Sequence, residues 1–499
     1  MLFHSYEFVF LFLPVSLAGY YLAAGRMGGR AAKLWLAAVS FWFYGSFQIE
    51  YLFLLLASVL ANYGIAKKMG GREKGSLAAK GMLAAGTGMN LALLIYCKYM
   101  DFFIENWNHI SGGQIPLLRI ALPIGISFYT FQQISYLADC YRGEIENIGF
   151  LDYMLYIVYF PKLVEGPLVL HSELLPQLEG AGKKKFDAQK VMQGSCLFVM
   201  GMMKKVILAD TFGGAVDYGY SNLEIMQGQD ALLLVIFYSL QLYFDFSGYC
   251  DMARGVSRMF GIELPVNFNS PYQAENIIEF WKRWHITLNR FFTKYVYIPL
   301  GGNRKGRGRM YCNLLLVFFI SGIWHGAGWN FILWGMLHGG LYVLTRMLQG
   351  RAVSGKAGQE KKGKNKAVKA VCMLFTFCYV SVAWVYFRAD SIGQGNQVFR
   401  LIGTGGYGLV NRNLAGYFNL DEFWYILKVL HLDRWQYGHY ILMCVLTCFS
   451  LALVFWGKNA AQAAEKIKPA AWTAVLSACL LLWCVLTFSD VSTFLYVNF

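Results

Sequence analysis

Charge is scarce in this chain. Only 15% of its 499 residues are Asp, Glu, Lys or Arg, against 57% hydrophobic and 17% aromatic. So little charge excludes a disordered chain and points away from a soluble globular domain. No basic stretch precedes the first apolar run, Met1 to Ala24; Arg26 and Arg30 come after it. That makes a poor signal peptide and a good first membrane helix, with its amino terminus outside. Eleven cysteines form no Cys-x-x-Cys pair and no Cys/His cluster at ligand spacing. They read as small buried hydrophobes, with neither a disulfide framework nor a metal site expected. The chain also lacks a Walker-type phosphate loop, a Gly-x-Ser-x-Gly elbow and any internal repeat.

Apolar runs long enough to span a bilayer recur along most of the chain, which predicts an all-α polytopic membrane protein. The net charge of +15 would suit a nucleic-acid binder, but its placement argues otherwise. The cations lie in short loops between apolar runs: Arg26 to Lys33, Lys67 to Lys80, Lys183 to Lys185, Arg304 to Arg309 and Arg351 to Lys369. That is the positive-inside pattern, and it assigns those loops to the cytosol. The apolar run Met82 to Tyr96 then leads to a mixed stretch, Lys98 to Arg119, expected outside.

Several membrane runs carry polar groups, which in such places are functional-site candidates. Polar residues interrupt every turn from Leu122 to Arg142, so this helix should face a cavity or other helices. Tyr153 to Val169 holds Pro161, Lys162, Glu165, Gly166 and Pro167, which predicts a bent or re-entrant element. Pairing of Lys162 with Glu165 is the plain alternative to a functional role. Asp245 and Asp251 stand among aromatics; Asp251, three residues before Arg254, is expected to pair with it on one helix face. From Asn276 to Phe292, Trp281, Trp284, His285, Leu288 and Phe292 share one helical face. The reading is a helix in the cytosolic interface, with Asn289 orienting the His285 ring.

The strongest candidate lies in Ser321 to His338. Fifteen residues, Met310 to Trp324, separate the basic run from His325, a helical rise of about 22 Å where a crossing needs about 30 Å. Both flanking loops are basic, so the segment must be a hairpin with His325 at its apex. Gly322, Gly326 and Gly328 permit a tight turn there. The competing reading is a neutral core histidine bonded to a carbonyl.

At Phe244 to Tyr249, Trp281 to Leu288, Tyr295 to Arg304 and Ser321 to His338 the chain resembles the membrane-bound O-acyltransferase family, chiefly its bacterial alginate and peptidoglycan O-acetyltransferase branch. Gly125 to Gln133, Tyr159 to Pro167 and the terminal Phe494 to Phe499 are similar too. The resemblance implies a ring of roughly 11 to 12 transmembrane helices, with short re-entrant and interfacial helices, around a thinned centre open to both faces. It places the family's intramembrane histidine at His325 and its second histidine at His285. It implies acyl transfer, usually of acetyl, from a cytosolic thioester, acetyl-CoA or an acyl carrier protein, toward a glycan outside. It also implies a separate extracytoplasmic SGNH or esterase-like partner. One departure is visible: after Gly166-Pro167 the family usually has an arginine, and here Leu168-Val169-Leu170-His171 follows.

Together these predict one membrane domain over residues 1–499, with the acyltransferase core in 1–350 and its catalytic region in 240–347. A basic cytosolic linker, 351–369, is expected before carboxyl-terminal helices in 370–499 and an extracytoplasmic loop at about 389–436. Both termini are expected outside the plasma membrane. His325 is read as general base, His285 as its aid or a donor-orienting residue. Trp324, Trp329, Asn330, Asn289 and Asp245 are expected to shape the cavity. No bound cofactor is expected; the partners are membrane lipid, the acyl donor or its carrier, the polysaccharide acceptor and the esterase-like protein, with no nucleic acid. D-alanyl transfer to teichoic acid and a transporter without bond chemistry are the competing functions.

Overall fold

The computed structural model describes residues 1–145, 148–180, 186–354, 365–419, 428–429 and 437–488. Among these residues every regular element is helical, as a backbone in hydrocarbon requires when it must satisfy its own N–H and C=O groups. A π-helical turn, Phe8–Phe12, leads into α1 (Leu13–Arg26), and short loops join it to α2 (Gly29–Gly45), α3 (Ile49–Gly70) and α4 (Leu77–Ser111). α5 (Ile126–Arg142) precedes three short pieces, α6 (Phe150–Val158), α7 (Phe160–Leu163) and α8 (His171–Glu179). α9 (Ala188–Met202), a π-helical segment Met203–Ala209 and α10 (Asp210–Ser221) make one run of 34 residues, and α11 (Gly228–Met259) returns. The chain continues through α12 (Ile277–Arg283), α13 (Ile286–Phe292), α14 (Arg307–His325), α15 (Trp329–Ser354) and α16 (Lys366–Arg388). It closes with α17 (Ile392–Thr404), α18 (Arg412–Gly416), α19 (Gly438–Trp456), α20 (Ala460–Glu465) and α21 (Ala471–Leu486).

Eight described helical runs are long and apolar enough to cross a membrane. The expected 11 to 12 include α2, α5 and α21 as well, whose 17, 17 and 16 residues stand at the lower limit of a crossing. α4 departs from its expected end at Tyr96: it runs on to Ser111, capped by the Ser76 side chain at its start and by left-handed Gly112 at its end, with no proline between. The element around Pro161 is bent as its prolines predict, with a break at Tyr159 and an irregular stretch from Val164 to Leu170. α5 buries twelve of its seventeen residues, so it faces protein rather than lipid. The expected linker loses four residues at each end to helix, 351–354 to α15 and 366–369 to α16, and α17 and α18 fill part of the expected loop. Lys183 to Lys185, 355–364, most of 420–436 and Phe494 to Phe499 lie outside the described residues.

Two features hold the centre together. α9 and α11 pack through paired glycines: a Cβ on Gly194 would stand 2.6 Å from the Gly255 carbonyl, and one on Gly248 2.7 Å from that of Gly201. Such contact brings backbones close where lipid offers no hydrophobic drive for association. The π-helical segment then carries Lys204 and Lys205 into the interior. Lys204 Nζ donates to Asp251 at 2.6 Å, and Lys205 Nζ to Asp245 and Asp210 at 2.7 and 2.8 Å. Asp251 is therefore paired across helices rather than with Arg254, whose Nε donates to the Leu264 carbonyl.

Candidate active site

α14 and α15 form the expected hairpin, and His325 is the last residue of α14. Close packing fixes its shape. A Cβ on Gly335 would lie 2.5 Å from the Phe318 carbonyl, and one on Gly326 would overlap the Phe331 ring. A helix end leaves its last carbonyls without intrahelical donors. Here Lys98 Nζ, from α4, donates to the carbonyls of Trp324 and His325 at 2.6 and 3.1 Å, and the Tyr99 hydroxyl to that of Ile323 at 2.8 Å. The ammonium also complements the negative end of the helix dipole. Lys98 lies eighteen positions beyond Lys80 and His325 eighteen beyond Arg307, a rise of about 27 Å in each case, so both helices reach the same depth from their basic loops. Sequence reasoning put Lys98 outside, because a cation after an apolar run looks like a boundary.

His325 is 3% exposed and lies against Trp324, Trp334 and Phe387, with ring centroids 4.8, 4.9 and 5.2 Å away. It lines a small inner cavity of about 20 Å³, room for one water, with Lys98, Ser127, Glu165 and Trp324. Left-handed Gly125 at the start of α5 lets that helix close on this cavity, since a Cβ there would stand 2.7 Å from the Leu163 carbonyl. Lys98 and Leu122 also line a second, larger cavity of about 440 Å³. Its wall includes Asp101, Gly326, Asn330, Arg388 and Asp390, at the end of α14 away from the basic run.

His285 occupies a break that the sequence reads as continuous helix. α12 ends at Arg283, and His285 takes φ 45° and ψ 51° before α13 begins. The backbone at the break is held by the segment before it: the Asn269 N–H donates to the Arg283 carbonyl and the Ile286 N–H to the Asn267 carbonyl, both at 2.9 Å. Asn267 Oδ1 accepts from the Thr287 N–H and hydroxyl at 3.2 and 2.9 Å, which fixes its amide orientation, and stands 3.2 Å from His285 Nδ1. Nδ1 must then carry the proton, leaving Nε2 as an acceptor with no partner among the described residues. Trp324 lies between the two imidazoles, 6.3 Å from His285 and 4.8 Å from His325.

The remaining expected residues divide. Trp324 lines the inner cavity and Asn330 the outer one, its Nδ2 donating to the Ala389 carbonyl at 2.8 Å. Trp329 is 58% exposed, donates to Asn106 and lines neither cavity, contrary to the expectation. Asn289 does not orient His285; its Nδ2 caps the carbonyls of Trp281 and Trp284 at 2.6 and 2.7 Å, and Asn267 takes the orienting role. Asp245 is the ion-pair partner of Lys205 and lines neither cavity. Lys162 donates to Gln132 at 2.6 Å rather than pairing with Glu165. Trp281 and Trp284 are 5% and 1% exposed, packed on Trp334 and Trp384, so they are core and not an interfacial belt. His338, on α15, is fully buried against Trp281, Trp334 and Trp384.

A further knot ties α5 to the segment after α13 outside the membrane runs. Asp139 accepts from the Tyr295 hydroxyl at 2.6 Å, pairs with Lys294 at 3.0 Å and lies 3.2 Å from His171 Nε2. Lys294 also bonds Glu144, holding that carboxyl below its usual range, while burial pulls the His171 imidazole down despite Asp139. Asp139, Glu144 and His171 come within 4.8 Å of one another, a set that could hold a cation, but Lys294 already supplies the positive charge.

The sequence pattern of the membrane-bound O-acyltransferase family, MBOAT, matches residues 126–388, the stretch that contains both imidazoles, the hairpin and most of the inner cavity's wall, though not Lys98 or Leu122 to Gly125. The chain belongs to this family. The peptidoglycan O-acetyltransferase of Helicobacter pylori is 36% identical over 100% of this MBOAT chain and 98% of its own length. The probable alginate O-acetylase AlgI of Pseudomonas putida is 38% identical over 80% and 79%. The teichoic acid D-alanyltransferase of Bacillus subtilis is 31% identical over 51% and 67%. This MBOAT protein is thus a multi-pass membrane acyltransferase, which displaces the transporter reading.

Proposed function

We propose that this enzyme moves an acetyl group from a cytosolic thioester, acetyl-CoA or an acyl carrier protein, across the membrane for O-acetylation of an extracytoplasmic polysaccharide, with His325 as the general base. The observation that carries the reading is an imidazole at a hairpin apex lining a cavity that shares Lys98 and Leu122 with a larger one beyond it. The acceptor hydroxyl reaches His325 through the larger cavity, and a neutral imidazole takes its proton. The donor arrives from the basic-loop side, past His285 and the Phe291–Phe131–Trp324 stack, whose successive centroids lie 4.3 and 5.3 Å apart. Both termini lie outside, as does an esterase-like partner that completes transfer to the glycan.

The relatives named for O-acetylation extend over 79% of the chain or more, and those named for D-alanyl transfer over about half, which favours acetyl. The test is transfer of label from acetyl-CoA, or from an acetylated carrier protein, to glycan or to protein in membranes carrying the enzyme. His325→Ala should lower the rate by about 10²–10⁴-fold while thermal melting stays unchanged. Full turnover in that variant, or label accepted only from a D-alanyl donor, would refute the assignment.

A further inference from the structure

Glu165 lies in the irregular stretch between α7 and α8 and is 2% exposed. Its Oε1 has no hydrogen-bond partner, and among the described residues no cation pairs with it. A carboxyl removed from water without a partner is among the costliest groups a fold can bury. Neighbouring buried acids show how this protein settles such a cost elsewhere: Asp245 and Asp251 each hold a lysine. Glu165 has no such lysine among the described residues, its Oε1 is left unbonded, and it lines the inner cavity together with His325 and Lys98. The charged groups around it are Asp245 of α11 and Lys205 of the π-helical segment, already engaged with each other, and Lys98 of α4 and His325 of α14 across the cavity.

Resting on the reading of His325 as base, we propose that Glu165 is a second proton-transfer residue of the acyl-transfer centre, the one that protonates the departing thiol. The acceptor oxygen attacks the thioester carbon, a C–O bond forms, and His325 takes the hydroxyl proton. Collapse of the tetrahedral adduct breaks the C–S bond and leaves the electron pair on sulfur. Neutral Glu165 gives its proton to that sulfur, and the carboxylate regains one from the His325 imidazolium. The sum is one proton carried from acceptor oxygen to donor sulfur, with both side chains restored. Two carriers suit a site whose hydroxyl and thiol approach from opposite compartments, because the proton must cross the cavity between them.

The test uses the full-length enzyme in membranes, labelled acetyl-CoA and Glu165→Gln, which keeps the shape of the side chain and removes its proton. The expected result is a loss of about 10²-fold or more in kcat with little change in KM. The fall in rate at high pH, where Glu165 would lose its proton, should also disappear. Thiophenyl acetate, whose thiolate leaves without a proton, should restore the variant toward the wild-type rate. A structural carboxyl would give none of these. Should Glu165→Gln fail to fold, Glu165→Asp keeps the acid on a shorter arm and should shift the high-pH limb. Wild-type kcat and pH profile in either folded variant overturn the proposal. If His325→Ala is inactive while Glu165→Gln is fully active, Glu165 alone is excluded; if His325→Ala is active, the parent reading falls first.

Discussion

The backbone of His285 is left-handed, a state that among the described non-glycine residues only Arg119 and Ser270 share in the sign of φ. Such a conformation persists where its surroundings over-determine it. Asn267 does so here, serving the His285 ring, the Thr287 N–H and the Thr287 hydroxyl with one oxygen. Asn267→Ala leaves these donors buried without an acceptor, and stability should fall by about 1–3 kcal/mol, read as a lower Tm in detergent. If Asn267 acts through His285, adding His285→Ala to Asn267→Ala should cost less activity than His285→Ala costs the wild type, a coupling that a double-mutant cycle measures. Equal losses in both backgrounds would separate the two residues. At this scale the sequence was legible where chemistry is rare: an imidazole between tryptophan and glycine in an apolar run stands out. Asn267 and Lys98 did not, because their importance lies in contacts with Thr287 and with the carbonyls of Trp324 and His325, 20 and more than 220 positions away.

The α14–α15 hairpin was legible as an element because two basic loops flank a segment too short for anything else. The α12–α13 break was not, since its apolar spacing continues through a residue whose backbone leaves the helix, and the cause lies in another segment. How tightly the hairpin closes is testable. A methyl on Gly335 meets a backbone carbonyl that cannot move without parting the helices, whereas nothing lies within 4 Å of a Cβ on Gly340 five residues later. Gly335→Ala should therefore destabilise by about 1–3 kcal/mol and depress acetyl transfer further, by displacing His325 from its cavity. Gly340→Ala should be neutral or stabilising by up to about 1 kcal/mol, since alanine is the better helix former. Thermal melting and transfer rate for the pair check both signs; identical behaviour would mean that the contact at Gly335 is slack.

For the whole molecule the deciding quantity is orientation, because the proposed chemistry is vectorial. Donor and acceptor sides are set by which face carries the basic loops, and charge bias of that kind acts over short loops such as Lys67 to Lys80 and Arg304 to Arg309. The overall class was readable from composition, since 57% hydrophobic residues in repeated long runs leave few alternatives. The exact number of crossings was not, because short and polar helices such as α5 are supported by protein contacts rather than by their own apolarity. The orientation predicts that alkaline phosphatase fused after Phe499 is active, and that a fluorescent protein placed in the 351–369 linker fluoresces in the cytosol. An impermeant thiol reagent should label a cysteine put at Leu409, 86% exposed beyond α17, and spare one put at Lys305 in the basic run. The opposite pattern would keep the enzyme an MBOAT acyltransferase but reverse its faces. The larger cavity beside Lys98 would then open toward the cytosol and receive the thioester, and the acceptor would have to enter past His285.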